Sequence, residues 1–182
     1  MASTTGVSNP ISDVNTVSGN QPRIDRNGEA ATQTFLRGGP VIIDSNGNVA
    51  EWGGSTLVIA GISLEDGNNL TTAATAQQPS FAGVLNQPLA KQYSRPKFND
   101  GKMGFLVAND DTVFRGQVGT SVAATDKGKH YGLTKDTDGH WYIDKSKTTD
   151  GTNTVLEVVD LDAQDTARGL YFKFLSSVQQ LG

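Results

Sequence analysis

The chain of 182 residues contains no cysteine. Disulfides, thiolate nucleophiles and cysteine-ligated zinc are therefore excluded, and the composition fits synthesis in a reducing compartment. Histidine is nearly absent, with only His130 and His140, so the usual acid, base and metal ligand at neutral pH is scarce. Hydrophobic residues make up 36%, enough for one modest core but not for two generous ones. The longest apolar run, Leu57 to Ile62, is far too short to span a bilayer. Met1 to Gly6 carry neither a basic stretch nor an apolar one, so no signal peptide is expected.

Positive charge is also in short supply. Fifteen Lys and Arg stand against nineteen Asp and Glu, a formal net charge of −4. The nearest approach to a basic cluster is Lys127, Lys129 and His130. That is not the footprint of a nucleic-acid-binding face, and neither nucleic acid nor membrane is expected as a partner.

Glycine is plentiful instead, with 21 residues, and Asn, Asp, Ser and Thr accompany it. These residues tolerate or cap tight turns, so the composition describes many turns joining short strands. Residues 1–32 lack hydrophobic periodicity and carry Pro10 and Pro22. Alone they cannot bury enough surface to offset their ordering entropy. They read as an extended N-terminal arm, either disordered or ordered against a partner, preceding a β domain over residues 33–182.

Within that domain, Gln33 to Leu36 reads as a short strand. Pro40 to Trp52 reads as a hairpin around Asn46-Gly47, and Ser55 to Leu64 as a longer strand. Thr71 to Pro79 is open between a short helix and a loop. Ser80 to Leu85 reads as a strand, and Pro88 and Pro96 break any regular run between Asn86 and Gly101. A second hairpin is expected from Gly104–Val107 and Thr112–Val118 across Ala108 to Asp111. A third joins Tyr131–Thr134 to His140–Asp144, with Trp141 and Ile143 on one face and Tyr142 on the other. Thr154–Asp160 and Leu170–Leu175 complete about ten strands. No βαβ pattern interrupts them, so the fold class is mostly β: an antiparallel barrel or sandwich of short strands.

Motifs that carry chemistry are few. His130 and His140 with Asp136, Asp138 and Asp144 could in principle hold zinc, but a polar hairpin with Asp in its turn accounts for the same residues. Asp136-Thr137-Asp138-Gly139 matches the middle of an EF-hand loop, yet Thr134 and Lys145 stand where its two anchoring ligands belong. Asp160, Asp162 and Asp165 form a second acidic cluster that would suit calcium or a solvated loop. No Gly-x-Ser-x-Gly elbow, phosphate loop or dinucleotide turn is present. Glu51, Glu65 and Glu157 are the carboxylates a glycosidase would need, and each equally fits a strand or turn. Trp52, Trp141, Tyr142, Tyr93 and Phe98 suit a sugar-binding face, but also a core or a subunit contact. No enzyme activity and no cofactor are expected.

One resemblance runs through residues 55–175. Val58-Ile59-Ala60-Gly61-Ile62 and Phe81-Ala82-Gly83-Val84-Leu85 are followed by Thr112 to Gly119, Lys127 to Leu133, Asp138 to Asp144 and Val155 to Asp162. This succession resembles the decoration, or cement, proteins on the heads of tailed bacteriophages. The resemblance implies a virion subunit on the outer capsid surface, made in the host cytoplasm and often trimeric. It would bridge capsomers and stabilise the shell, with the major capsid protein and further copies of itself as partners. Multivalent bridging of this kind multiplies weak contacts. Under it, Pro22, Arg23, Ile24 and Arg26 are candidates for contact with the shell, and Tyr93, Arg95 and Phe98 for contact between subunits. A carbohydrate-binding or host-adhesion module, and a tail or neck protein, are the alternatives.

Overall fold

The computed structural model describes residues 11–67 and 102–182. Among the described residues, eleven strands make two antiparallel sheets. They are β1 (Ser12–Thr16), β2 (Ile24–Gly28), β3 (Pro40–Ile43), β4 (Val49–Glu51), β5 (Gly61–Ser63), β6 (Lys102–Val107), β7 (Thr112–Gln117), β8 (His130–Lys135), β9 (Trp141–Asp144), β10 (Leu156–Leu161) and β11 (Gly169–Phe174). The six-stranded sheet runs β1-β7-β11-β10-β8-β9 and the five-stranded sheet β2-β6-β5-β3-β4. The only helical structure among the described residues is two single turns, Ala124–Asp126 and Ser176–Val178. The fold is thus mostly β, as the composition implies.

The two sheets repeat one plan. Each takes five strands that are consecutive among the described residues and orders them first, fifth, fourth, second, third: β2 to β6 in one, β7 to β11 in the other. In each, one parallel bridge draws the end of the first strand to the third, Glu29 to Val49 and Val118 to Ile143. The backbone bonds correspond as well. Ala30 N–H donates to Val49 O, and Gly119 N–H to Ile143 O; Ala60 N–H donates to Val41 O, and Val155 N–H to Tyr131 O. Ala108 N–H to Ala60 O corresponds to Leu175 N–H to Val155 O. Gly38 N–H to Ser63 O corresponds to Gly128 N–H to Val158 O, with φ of +79° and +74° at the two glycines.

The two second-to-third-strand hairpins share their turn chemistry. Asp44 Oδ1 accepts the N–H of Asn46 and Asn48, and Asp136 Oδ1 accepts those of Asp138 and His140. Both turns close through a glycine in the left-handed region, Gly47 at +80° and Gly139 at +93°, where a side chain would be strained. These are the hairpins expected from sequence, with Trp141 and Ile143 buried and Tyr142 on the other face.

Strand alternation sorts the core into two clusters. Met103, Phe105 and Val107 face inward with Phe35, Val41, Val49 and Ala60, inside the five-stranded sheet. Leu106, Ile62 and Ile59 face the other way and join Phe114, Phe172, Phe174, Leu133, Ile143 and Leu156 of the six-stranded sheet. The second cluster spans both sheets, so the two repeats share a core. Phe114, Phe172 and Phe174 meet with ring centroids 5.2–5.7 Å apart, an arrangement favoured by aromatic quadrupoles.

Four sequence expectations are corrected. Within residues 1–32, Ser12–Thr16 pairs with β7 and Ile24–Gly28 with β6, so this stretch contributes a strand to each sheet rather than standing apart as an arm. Gln33–Leu36 forms no ladder; Phe35 is instead a core side chain whose carbonyl accepts Gly67 N–H. Only Gly61–Ser63 of the Ser55–Leu64 run is a strand. Finally, β6 and β7 do not pair with each other, because they belong to different sheets. Asn109 Oδ1 accepts the N–H of Asp111 and Thr112 and the Thr112 hydroxyl, which turns the chain through a corner where a hairpin would run straight back. The expectations at Thr71–Pro79, Ser80–Leu85 and Asn86–Gly101 lie outside the described residues.

Candidate functional site

The residues expected to meet a shell lie where the chain passes from one sheet to the other. Val17 to Arg23 connect β1 to β2 and run beside the opposite crossing at residues 108–111. Val17 N–H donates to Asp111 O, and the Ser18 amide and hydroxyl donate to the Asp111 carboxylate at 2.7 and 2.6 Å. Those two bonds hold the Asp111 carboxyl below its ordinary range. At this corner Val17 is 68% exposed and Ile24 56% exposed. Pro22 is half-buried. Arg23 forms a bidentate contact with Asp25, 2.7 Å at the shorter bond, and Arg26 donates to Lys102 O at 2.9 Å. Arg23 thus lies just before β2, and Ile24 and Arg26 lie within it. Tyr93, Arg95 and Phe98 lie outside the described residues.

The histidines do not converge. His130 starts β8 and meets Asp150 at 2.9 Å, whereas His140 lies beyond the other end of that strand, beside Asp136 at 3.8 Å. Among the described residues no three His, Asp or Glu side chains gather as a metal site. Asp136 and Asp138 form a turn, and Asp144 accepts from Thr134 and Ser146. Glu51 and Glu65 are engaged by protein donors. Glu51 Oε1 accepts from Lys135 Nζ at 2.6 Å and Trp141 Nε1 at 3.1 Å. Glu65 Oε1 accepts from Gly104 N–H. Glu157 stands in the ladder between His130 and Lys173.

Two buried carboxylates organise the six-stranded sheet, and sequence reasoning missed one of them entirely. Asp126, 3% exposed, accepts from Lys145 Nζ at 2.7 Å, Ala123 N–H at 2.8 Å and Tyr131 O–H at 2.8 Å. Burial pushes its carboxyl up, but these donors together outweigh burial and hold it below the ordinary range. Tyr131 is pushed up to about 12 by its own burial and by that carboxylate. Asp162, 1% exposed, comes from the acidic cluster suggested for calcium. Its Oδ2 accepts from Arg115 at 2.6 Å, and its Oδ1 from Gln164 N–H and Tyr171 O–H. Burial raises this carboxyl too, and the same three donors bring it below the usual range. Asp165 accepts from Gln117, and Asp160 pairs with Lys127 at 3.4 Å. The cluster therefore meets protein donors at each member.

A shallow pocket of about 580 Å³ opens between residues 128–131 and residues 145–150, lined by Lys129, His130, Tyr131, Lys145, Thr148 and Asp150. Two members of the sparse basic cluster, Lys129 and His130, thus lie there. Lys145 is committed to Asp126, and His130 to Asp150.

The tryptophans pair inside the protein. Trp52 and Trp141 have centroids 5.3 Å apart and are only 2% and 7% exposed. Trp52 Nε1 donates to Thr56 O. Buried rings cannot stack on a sugar, so the sugar-face alternative loses both. Compared with family models, curated proteins and solved structures, the chain finds no match in any of the three.

Proposed function

We propose that this chain is a structural protein of a bacteriophage particle that binds the outer surface of the capsid and stabilises the shell by bridging capsomers. It acts as a small oligomer, with the trimer as the expected form, and its partners are the major capsid protein and its own copies. The observation that carries the reading is where the chemistry-bearing side chains go. Asp126, Asp162, Glu51 and both tryptophans are each engaged in holding strands together, while the two most exposed large apolar side chains among the described residues, Val17 and Ile24, flank one crossing between the sheets. Such a molecule works through its surface. The resemblance of residues 55–175 to head decoration proteins supplies the kind of surface it meets.

Co-sedimentation with purified expanded shells tests the proposal. Saturable binding, together with a raised temperature of shell disruption, is expected. A chain that neither pellets with shells nor changes their thermal transition, and that sediments alone as a monomer, would sink it.

A further inference from the structure

The two repeats leave one strand over. Among the described residues, β2 to β6 and β7 to β11 each complete the same five-strand plan, and β1 belongs to neither. It precedes the first repeat in the chain yet pairs antiparallel with β7, the opening strand of the second. Ile11, just before it, is buried in the shared core, where it lies against Gly116 of β7. The turn after β1 is tied to the approach to β7 as well. Val17 N–H donates to Asp111 O, and the Ser18 amide and hydroxyl donate to the Asp111 carboxylate. Gly19 N–H and the Thr16 hydroxyl close that turn on Thr16 O and Asn20 O. On the far side, Arg23 O accepts Val107 N–H and so opens the ladder of β2 with β6. Between these two bonded bodies stand an exposed Gln21 and a half-buried Pro22. Neither makes a hydrogen bond to any described residue, and proline has no N–H to give.

We propose that β1 is exchanged between copies of this chain, each copy laying Ser12–Thr16 along β7 of a neighbour, with Gln21–Pro22 as the hinge. A joint without bonds can change its angle while the bodies on either side keep theirs. The segment it carries, residues 11–20, finds the same partners on a second copy as on its own: the β7 ladder, Asp111 and the core beside Gly116. Exchange of an identical element therefore conserves the contacts of β1, and its cost is that of bringing copies together. That cost falls where copies are held side by side at high effective concentration. The β7 edge is thus an interface, and the partner it fits is a second copy of this chain. Closure of the exchange as a ring of three rests on the proposed function; the exchange itself does not.

The chain has no cysteine of its own, so Asn15→Cys and Val113→Cys supply the only thiols, placed opposite each other across the β1–β7 ladder. In the full-length double variant, a β1 folded back on its own β7 gives a disulfide within one chain, and an exchanged β1 gives one between chains. The variant is concentrated to about 1 mM, the range that short tethers impose, separated by size, oxidised and run on a denaturing gel without reductant. The oligomer fraction should run as covalently joined chains, and mass spectrometry should find residue 15 of one chain bonded to residue 113 of another. An oligomer fraction that runs as single chains, or a chain that forms no oligomer at that concentration, would overturn the exchange. So would single variants that cross-link as fully as the double one. Inserting four Gly and Ser residues after Gln21 lets the strand fold back more easily. It should lower the exchanged fraction about tenfold at unchanged circular dichroism; an unchanged fraction would overturn Gln21–Pro22 as the hinge. Exchange in a chain that does not pellet with shells would leave this interface standing and remove the proposed function. Pelleting by a chain whose disulfides are all internal would do the reverse.

Discussion

Asp126 and Asp162 show what a buried carboxylate does here. Removing one leaves a buried hydroxyl and a partly exposed cation without their acceptor, which costs more than the intact pair contributes. Asp126→Ala and Asp162→Ala should each lower stability by roughly 3 kcal/mol, read as a lower denaturant midpoint at unchanged slope. Asp160→Ala, on a solvated side chain, should leave the midpoint where it is. The sign of the pH dependence follows from the lowered carboxyls. Their contribution is complete above the ordinary value of 3.8 and is lost as pH falls through their depressed folded values. Stability should therefore hold from neutral pH down to about that value and fall steeply below it, the fall being shallower in Asp162→Ala. Tyr131 acts at the other end. Its raised folded value makes its contribution complete below 10 and lost as pH rises through about 12. Burial and neighbouring carboxylates raise Tyr142 and Tyr171 as well, so tyrosinate absorbance should rise late for several phenols, and Tyr131→Phe should lower the amplitude of the last part of that rise.

At the scale of elements, the two equivalent turns provide a matched experiment. Asp44→Ala and Asp136→Ala each remove one acceptor from two backbone N–H groups. Each should cost about 1 kcal/mol, and the losses should add because the turns belong to different sheets. Equilibrium denaturation of the single and double variants measures this. Gly61 marks a tighter constraint: a Cβ there would lie 1.9 Å from Leu106 O, in the adjacent strand. Gly61→Ala should separate β5 from β6 and destabilise by about 3 kcal/mol or more, whereas Gly53→Ala, with open space around it, should be neutral. The hairpins at Asn46-Gly47 and Asp138-Gly139 were legible in sequence because their signals are local. The β6–β7 corner was not, because apolar runs flanking a polar turn look alike whether the strands pair or part. Only the bonding of Asn109 and the company of each strand separate the two cases.

For the whole molecule, the shared core makes the tryptophans reporters. Trp52 and Trp141 bridge β4 and β9, and their emission should be blue-shifted and resistant to iodide in the folded chain, then exposed in one cooperative step. Separate transitions for fluorescence and circular dichroism would show that the sheets unfold independently. The repeat relating the two sheets was hidden in the sequence. Apart from the turns Asp44-Ser-Asn-Gly-Asn and Asp136-Thr-Asp-Gly-His, and the matched pairs Arg26 and Arg115, Gly38 and Gly128, and Phe105 and Phe172, most equivalent positions hold unlike residues. Sheet order is carried by main-chain bonds, which many side chains permit.

The amino-acid sequence alone determined the class of fold, because turn residues at short intervals and two-residue alternation leave few ways to bury the apolar side chains. It also placed the two turn hairpins and denied the chain any cysteine chemistry. Tertiary structure alone decided which strands pair, that Ser12–Thr16 and Ile24–Gly28 belong to the sheets, and that Asp126 and Asp162 lie buried against their donors. Those outcomes depend on contacts between residues far apart in the chain, such as Arg115 with Asp162 and Ile24 with Leu106. Local pattern says nothing of such distances until the core has closed.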